Sequence, residues 1–198
     1  MKKANENSGS KKKSVIREWV ESIVIAFILA MFIRTFVIQA FKIPTGSMRT
    51  TLLEGDAILV NKFIYGAKIP FTSWSLPAVR KPARGDVIVF IYPNEPKKDF
   101  IKRLVGLEGD TVEIKNGTIY INDKPLNNPV FNQKYYYNRG EYGETGKKIL
   151  VPKDSFFVLG DNSASSQDSR YWGFVPKKNI LGEAILIYWP PNRIRIIK

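Results

Sequence analysis

The stretch "FKIPTGSMRTTLLEGD", residues 41–56, sets a serine, Ser47, between a glycine and a methionine just past a long apolar run. A serine there does chemistry only if a base stands beside it, and composition decides which bases are on offer. The chain has no histidine and no cysteine, so neither a Ser-His-Asp triad nor a Cys-His dyad can be assembled. A neutral amine can replace the imidazole, as in the Ser-Lys variant of the triad. Lys102, in "DFIKRLVGLEGD", is the candidate, because Phe100, Ile101, Leu104 and Val105 around it can carry its side chain into an apolar pocket. Burial is required: an exposed lysine titrates near pH 10.4, and each tenfold change in that equilibrium takes about 1.36 kcal/mol from folded stability. Spacing alone leaves plainer readings open, since a serine beside glycine is an ordinary turn residue and most lysines are solvated. The same composition removes His/Cys zinc sites, and Asp and Glu show no calcium-loop spacing, so no metal and no cofactor is expected.

Two kinds of element must position these residues. Residues 1–17 carry six basic side chains among Asn, Ser and Gly and are expected to form a cytoplasmic basic tail. In "EWVESIVIAFILAMFIRTFVIQAF" no side chain from Ile23 to Ile33 is polar, and residues 18–41 are expected to be a transmembrane anchor. As a helix the run from Trp19 to Phe41 measures about 34 Å, against roughly 30 Å of hydrocarbon. Arg34 is expected to snorkel to the outer interface, and the basic residues before the span predict an N-terminus inside and the rest outside. A cleaved secretory signal ending at Ala40 competes, but Arg34 between its core and the cut speaks against it. A buried core helix competes too, and basic flanks on one side only speak against that.

Beyond Phe41 the pattern becomes short alternating runs, "DAILVNKFI", "GDVIVFIY", "FIKRLVGL", "TVEIKNGTIYIN", "SFFVLGD" and "EAILIYW". Their period of two predicts a mainly β, antiparallel domain over residues 42–198, with Asn116-Gly117 as a hairpin turn. At roughly 155 residues it is large enough to bury a core without staples. Residues 70–86 and 127–148 are expected to be surface loops without assigned function. The formal charge of +13 permits nucleic-acid binding, but no nucleic-acid motif is present, and anionic lipid is the expected partner. In "ILIYWPPNRIRIIK", Tyr188 and Trp189 either dip into the lipid interface or end a β-strand at Pro190, the reading favoured here.

"PTGSM" with "TL" and "GD", then "LVNKFIYG", "GDVIVF", "KRLVGLEGD" and "GDNSASSQDSR", in this order behind an apolar span, resemble the type I signal peptidase family. The resemblance implies a membrane-bound serine endopeptidase that cuts signal peptides from exported preproteins on the outer face of the cell membrane, with a transient contact to the export machinery. It implies Ser47 as nucleophile, Lys102 as general base, and the Ser47 N–H with the Thr45 hydroxyl as oxyanion donors. It puts Ser166 in hydrogen-bond reach of the lysine amine and makes Asp168 and Arg170 a structural ion pair. Asp161 and Asn162 are read as turn formers. Shallow pockets for small residues at −1 and −3 would be lined by Phe41, Ile43, Pro44, Met48, Leu52, Ile58, Val89, Phe100 and Ile101, each of which taken singly reads as a core position. The chain departs from the family pattern at Thr50 and Glu108, where proline is usual, and at Ser163, where arginine is common; altered loop rigidity is the expected consequence. Two rivals are a self-cleaving repressor-like Ser-Lys peptidase, which would carry a DNA-binding module in place of the span, and an anchored module with a dead site.

Overall fold

A computed structural model describes residues 15–66, 72, 74 and 76–198. Helix α1 (Val15–Phe32) continues through a short π-helical stretch, Ile33–Val37, and none of its residues is buried. The 23 residues Val15–Val37 are long and apolar enough to cross a membrane. Residues 1–14 of the expected tail lie outside the described residues, and 15–17 open α1. At the other end the span stops short of residue 41. Ile38–Lys42 is strand β1, paired antiparallel with β2 (Ala57–Asn61), Phe41 opposite Ile58. An apolar run reads alike as a membrane helix or a buried strand. Here a partner strand some twenty residues downstream, out of sight of any local pattern, decides where the helix ends.

The alternating runs become β3 (Val87–Ile91), β4 (Asp99–Gly106), β5 (Thr111–Lys115), β6 (Thr118–Ile121), β9 (Ser155–Leu159) and β11 (Ile180–Trp189). Two-residue strands β7 (Lys124–Pro125), β8 (Ile149–Leu150), β10 (Val175–Pro176) and β12 (Arg195–Ile196) complete the sheets, with single-turn helices α2 (Pro129–Asn132) and α3 (Ser169–Trp172) between them. The larger sheet runs β1-β2-β11-β3-β4-β9-β10, with β12 also on β11; the smaller runs β7-β6-β5-β8. Every pairing is antiparallel, as the alternation predicts. Register shifts within β11, after Ala184 and after Ile187, bend that strand so that the sheet curls. Asn116 and Gly117 take φ of 49° and 78°, the left-handed pair a two-residue hairpin between β5 and β6 requires.

The core has three parts. Met48, Leu52, Ile58, Val60, Val89 and Ile187 pack on one face of the larger sheet. Ile88, Phe90, Leu104 and Val158 pack on the other. The third part joins Val112, Ile114 and Ile119 of the smaller sheet to Phe131 and Tyr136. The last two come from 127–148, so that segment does more than cover the surface. Asn128 caps α2 by accepting from the Val130 N–H at 3.0 Å, and Phe131 and Tyr136 supply large apolar area to the core. Of 70–86, residues 70, 71, 73 and 75 lie outside the described residues. Its end is tied down by Arg80 on Asp86 and Glu183 and by Arg84 on Asp110. Strand β11 ends at Trp189, just before Pro190.

Candidate active site

Ser47 sits on a single 3-10 turn, Gly46–Met48, where the chain leaves β1 and doubles back to β2. The neck of this excursion is closed by backbone bonds, Ile43 N–H to the Asp56 carbonyl and Gly55 N–H to the Ile43 carbonyl, both 2.8 Å. Met48 and Leu52 are fully buried and plug the turn into the core. Thr50 takes φ of 76°, a left-handed conformation that a β-branched residue rarely adopts and that proline, fixed near about −65°, cannot reach.

Lys102 comes from β4 and is 4% exposed. Its Nζ lies 2.8 Å from Ser47 Oγ and 3.0 Å from the Ile101 carbonyl oxygen, with the Phe100 ring centroid at 5.3 Å. Among the described residues no carboxylate stands within ion-pair distance of it. Burial lowers the amine from the ordinary lysine value to about 8, while the more distant charges of Asp168 and Asp161 pull it back up. The pair closes one wall of a cleft of about 530 Å³, whose lining also includes Pro44, Thr45, Phe100 and Ile101.

The segment 160–170 braces this wall. Asp168 and Arg170 are completely buried and joined by two 2.8 Å bonds, as an ion pair. Arg170 spends its other donors on the Tyr137 and Ser163 carbonyls and the Ser163 hydroxyl, and Asp168 accepts from the Gly160 N–H at 3.0 Å. Serine at 163, where arginine is common in the family, thus serves as a ligand for the Arg170 guanidinium. A Cβ on Gly160 would sit 2.1 Å from Ser166 Oγ and 2.6 Å from the Ser47 carbonyl oxygen, so only glycine lets these chains meet.

The geometry bears on Ser166 and corrects the reading of Asp161. Ser166 is buried, but its hydroxyl makes no hydrogen bond among the described residues; the Lys102 amine is held by Ser47 and the Ile101 carbonyl instead. Asp161 is no mere turn former. Its carboxylate is fully buried and takes bonds of 2.8 and 2.6 Å from Arg103, one of 3.0 Å from Lys134, and one from the Thr51 hydroxyl. Burial opposes its ionisation, and Arg103, Lys134 and Thr51 outweigh burial and hold it below the ordinary carboxylate range. Asn162 does turn the chain, accepting from Ser165 N–H, yet its own N–H and side-chain amide also bond the Ser47 and Gly46 carbonyls, each at 3.0 Å. Arg103 and Lys134 were not singled out from the sequence, and Asn162 was read only as a turn former. One signal was there: adjacent cations in "FIKRLVG" put a charge on each face of a buried strand, and a buried arginine needs an anion.

The expected pocket lining divides in two. Pro44, Phe100 and Ile101 line the cleft. Ile43, Met48, Leu52, Ile58 and Val89 are buried in the core cluster beneath it, with Phe41 packed against them. Ile101 belongs to both groups, lining the cleft and packing against this cluster. Thr45 is exposed on the cleft, and its hydroxyl caps nothing.

Comparison with known proteins shows the family. The family model described as "Signal peptidase, peptidase S26" matches residues 16–189, leaving 190–198 outside the match. A signal peptidase I of Leptolyngbya laminosa is 38% identical over 94% of this chain and 86% of its own length. A probable signal peptidase I-2 of Synechocystis is 37% identical over 97% and 83%, and a signal peptidase I of Pseudomonas aeruginosa 35% over 92% and 76%. A solved signal peptidase I from Enterococcus faecalis is 35% identical over 52% of this chain and 97% of that one, with a TM-score of 0.44. The chain belongs to the signal peptidase I family of peptidase S26, serine-type hydrolases that act on signal peptides.

Proposed function

We propose that the chain cleaves signal peptides from exported preproteins through a Ser47–Lys102 dyad and an acyl-enzyme. The observation that carries this reading is the 2.8 Å contact between Ser47 Oγ and a lysine amine that is 4% exposed and has only neutral partners. The neutral amine accepts the Ser47 proton as Oγ bonds to the scissile carbonyl carbon. The Ser47 N–H and the Thr45 hydroxyl hold the oxyanion; losing one such donor typically costs about 2.7 to 4 kcal/mol of transition-state stabilisation. The ammonium then protonates the leaving amine and the C–N bond breaks, leaving an ester on Ser47. Lys102, neutral again, takes a proton from water as its oxygen attacks the ester; the carbonyl carbon–Ser47 Oγ bond then breaks, Oγ takes the proton back from Lys102, and the signal peptide leaves with its new carboxylate.

Substrate binds extended along the cleft between Asp99–Lys102 of β4 and Pro44–Ser47, presenting its −1 and −3 side chains to a floor already filled by packed core residues. A filled floor leaves room only for small side chains, so selection is by exclusion. The apolar helix anchors the enzyme with its N-terminus in the cytoplasm and the β domain on the outer face, against anionic lipid and in passing contact with the export machinery. On a preprotein in detergent, Ser47→Ala is expected to lose at least about 10³-fold in rate. Cleavage at the wild-type rate would sink the dyad. Lys102→Arg is expected to be equally inactive, because a guanidinium does not deprotonate in this range.

A further inference from the structure

The nucleophile turn is gripped from a part of the chain far from it in sequence. After β11 the chain turns through Pro191–Arg193 and returns as β12, which lies against β11 with Ile196 opposite Leu186 and Arg195 opposite Ile187. From this segment Arg193 sends Nε and Nη2 to the two oxygens of Asp56, each at 2.8 Å. Asp56 is 1% exposed and also accepts from the Leu53 N–H at 2.8 Å, while its own carbonyl closes the neck at Ile43. Arg195 Nη2 donates to the Thr51 carbonyl at 2.6 Å and the Thr50 carbonyl at 3.3 Å. Thr51 is thus fixed at both ends, its carbonyl by Arg195 and its hydroxyl within the buried Arg103–Asp161 pair. Beside it Thr50 holds the left-handed backbone, a conformation that persists only where surrounding contacts enforce it.

We infer that residues 190–198 are a brace for the nucleophile turn, with Arg193 and Arg195 as positioning residues that set where Ser47 Oγ stands relative to Lys102. This rests on the proposed role of Ser47. The reasoning is geometric. Ser47 lies three residues before Thr50, the turn between them has one 3-10 step, and it is anchored inward by Met48 and Leu52. Among the described residues Asn162 holds the Ser47 and Gly46 carbonyls, Arg49 pairs with Glu54 across the turn, and Arg193 and Arg195 hold its far limb at Asp56, Thr50 and Thr51. A shift of the turn by a fraction of an ångström lengthens the Ser47–Lys102 contact while the cleft wall on β4 stays put, so the larger effect falls on the chemical step and the smaller on substrate binding.

Arg195 is exposed, and its alanine variant therefore folds; Arg193→Ala strips a buried carboxylate and is read as Arg193→Lys if it does not. In the full-length enzyme, Arg195→Ala is expected to lower kcat per folded molecule about tenfold with KM within about twofold, and Arg195→Lys, which keeps a donor, to recover part of that loss. A kcat per folded molecule that stays at the wild-type value while Tm falls would reduce the brace to a stability feature and overturn the inference. Equal losses in the lysine and alanine forms would overturn the hydrogen-bond grip. Ser47→Ala, measured alongside, separates the two readings: activity surviving there removes the nucleophile, whereas an inactive Ser47→Ala beside an undiminished Arg195→Ala removes only the brace.

Discussion

Lys102 and Arg103 are consecutive residues of one strand, both are buried cations, and their surroundings treat them in opposite ways. Arg103 uses four of its five N–H donors: two bonds to Asp161, one of 2.6 Å to the Gly85 carbonyl and one of 3.1 Å to the Thr51 hydroxyl. Lys102 meets a hydroxyl and a carbonyl, and the nearest carboxylates are already claimed, Asp168 by Arg170 and Asp161 by Arg103 and Lys134. A β-strand turns successive side chains to opposite faces, so the two environments coexist one residue apart. Depth of burial therefore does not decide whether a cation stays charged. The presence of a committed counter-ion does: one face holds its charge as structure, and the other withholds a partner so that an amine is available as a base.

Removing each cation tests that contrast most directly. Lys102→Met is expected to abolish preprotein cleavage, by at least about 10³-fold, while leaving urea-unfolding stability at pH 7 unchanged or higher by about 1 to 2 kcal/mol, because a poorly compensated charge has gone. Arg103→Met is expected to do the reverse to the fold, losing about 3 to 5 kcal/mol, because Asp161 would be left as a buried anion with Lys134 as its one remaining cation. Equal stability losses in the two variants would show that both cations are structural and that the contrast is false.

The pH dependence sharpens the same difference. Only the neutral amine of Lys102 can act, and it is held near pH 8, so kcat/KM is expected to fall as pH drops through about 8. For stability the sign is opposite to that of a salt-bridged lysine. The folded-state value lies below the unfolded one near 10.4, so below about 8 both states carry the proton and the full penalty, about 3 kcal/mol, is present. Between about 8 and 10.4 the unfolded chain binds more protons than the native one, and stability from this group rises with pH. In urea melts across that window the rise should be present in wild type and absent from Lys102→Met. A wild type whose Lys102-dependent stability falls over the same range would mean that the amine has a counter-ion after all.

How much of this was written locally in the chain differs between the two faces. The strands that bear Lys102 and Arg103 were readable from alternation, and the β5–β6 turn from Asn116-Gly117. That Ser47 meets Lys102, 55 positions away, was not; spacing offered both residues ordinary roles, and the motif order joined them. Asp161 was misread for a physical reason. Gly-Asp-Asn is a turn signal and the chain does turn there, but the partner that makes the aspartate buried and ionised stands 58 positions earlier. Strand β1 was hidden in the apolar run because its pairing with β2 is non-local. Tyrosine and asparagine in 127–148 look like solvated loop, yet Tyr136 is 1% exposed and its neighbour Lys134 reaches Asp161. Ile43, Met48, Leu52, Ile58 and Val89 share one buried cluster, and the sequence pattern is the same for an apolar side chain that lines a pocket and one that packs in the core.

Lys134 gives the smallest expected effect and the finest test of how separate the faces are. Its amine lies 3.0 Å from Asp161 Oδ1; burial lowers its pKa while Asp161 raises it again. The groups whose charge reaches the Lys102 amine are Asp168, with Arg170 paired to it, and Asp161, with Arg103 and Lys134 paired to it. Lys134→Met leaves Asp161 to Arg103 alone, so more of the carboxylate's field reaches Lys102 and favours its protonated form. The low-pH limb of kcat/KM should therefore move to higher pH, by about 0.3 to 0.5, as expected for one charge acting through a partly compensated pair at an effective dielectric of about 20. Lys134→Arg should keep the limb in place. A limb that does not move in Lys134→Met would mean that the Arg103 pair alone insulates the base, and a limb that moves to lower pH would reverse the assigned sign of the Asp161 field at the amine.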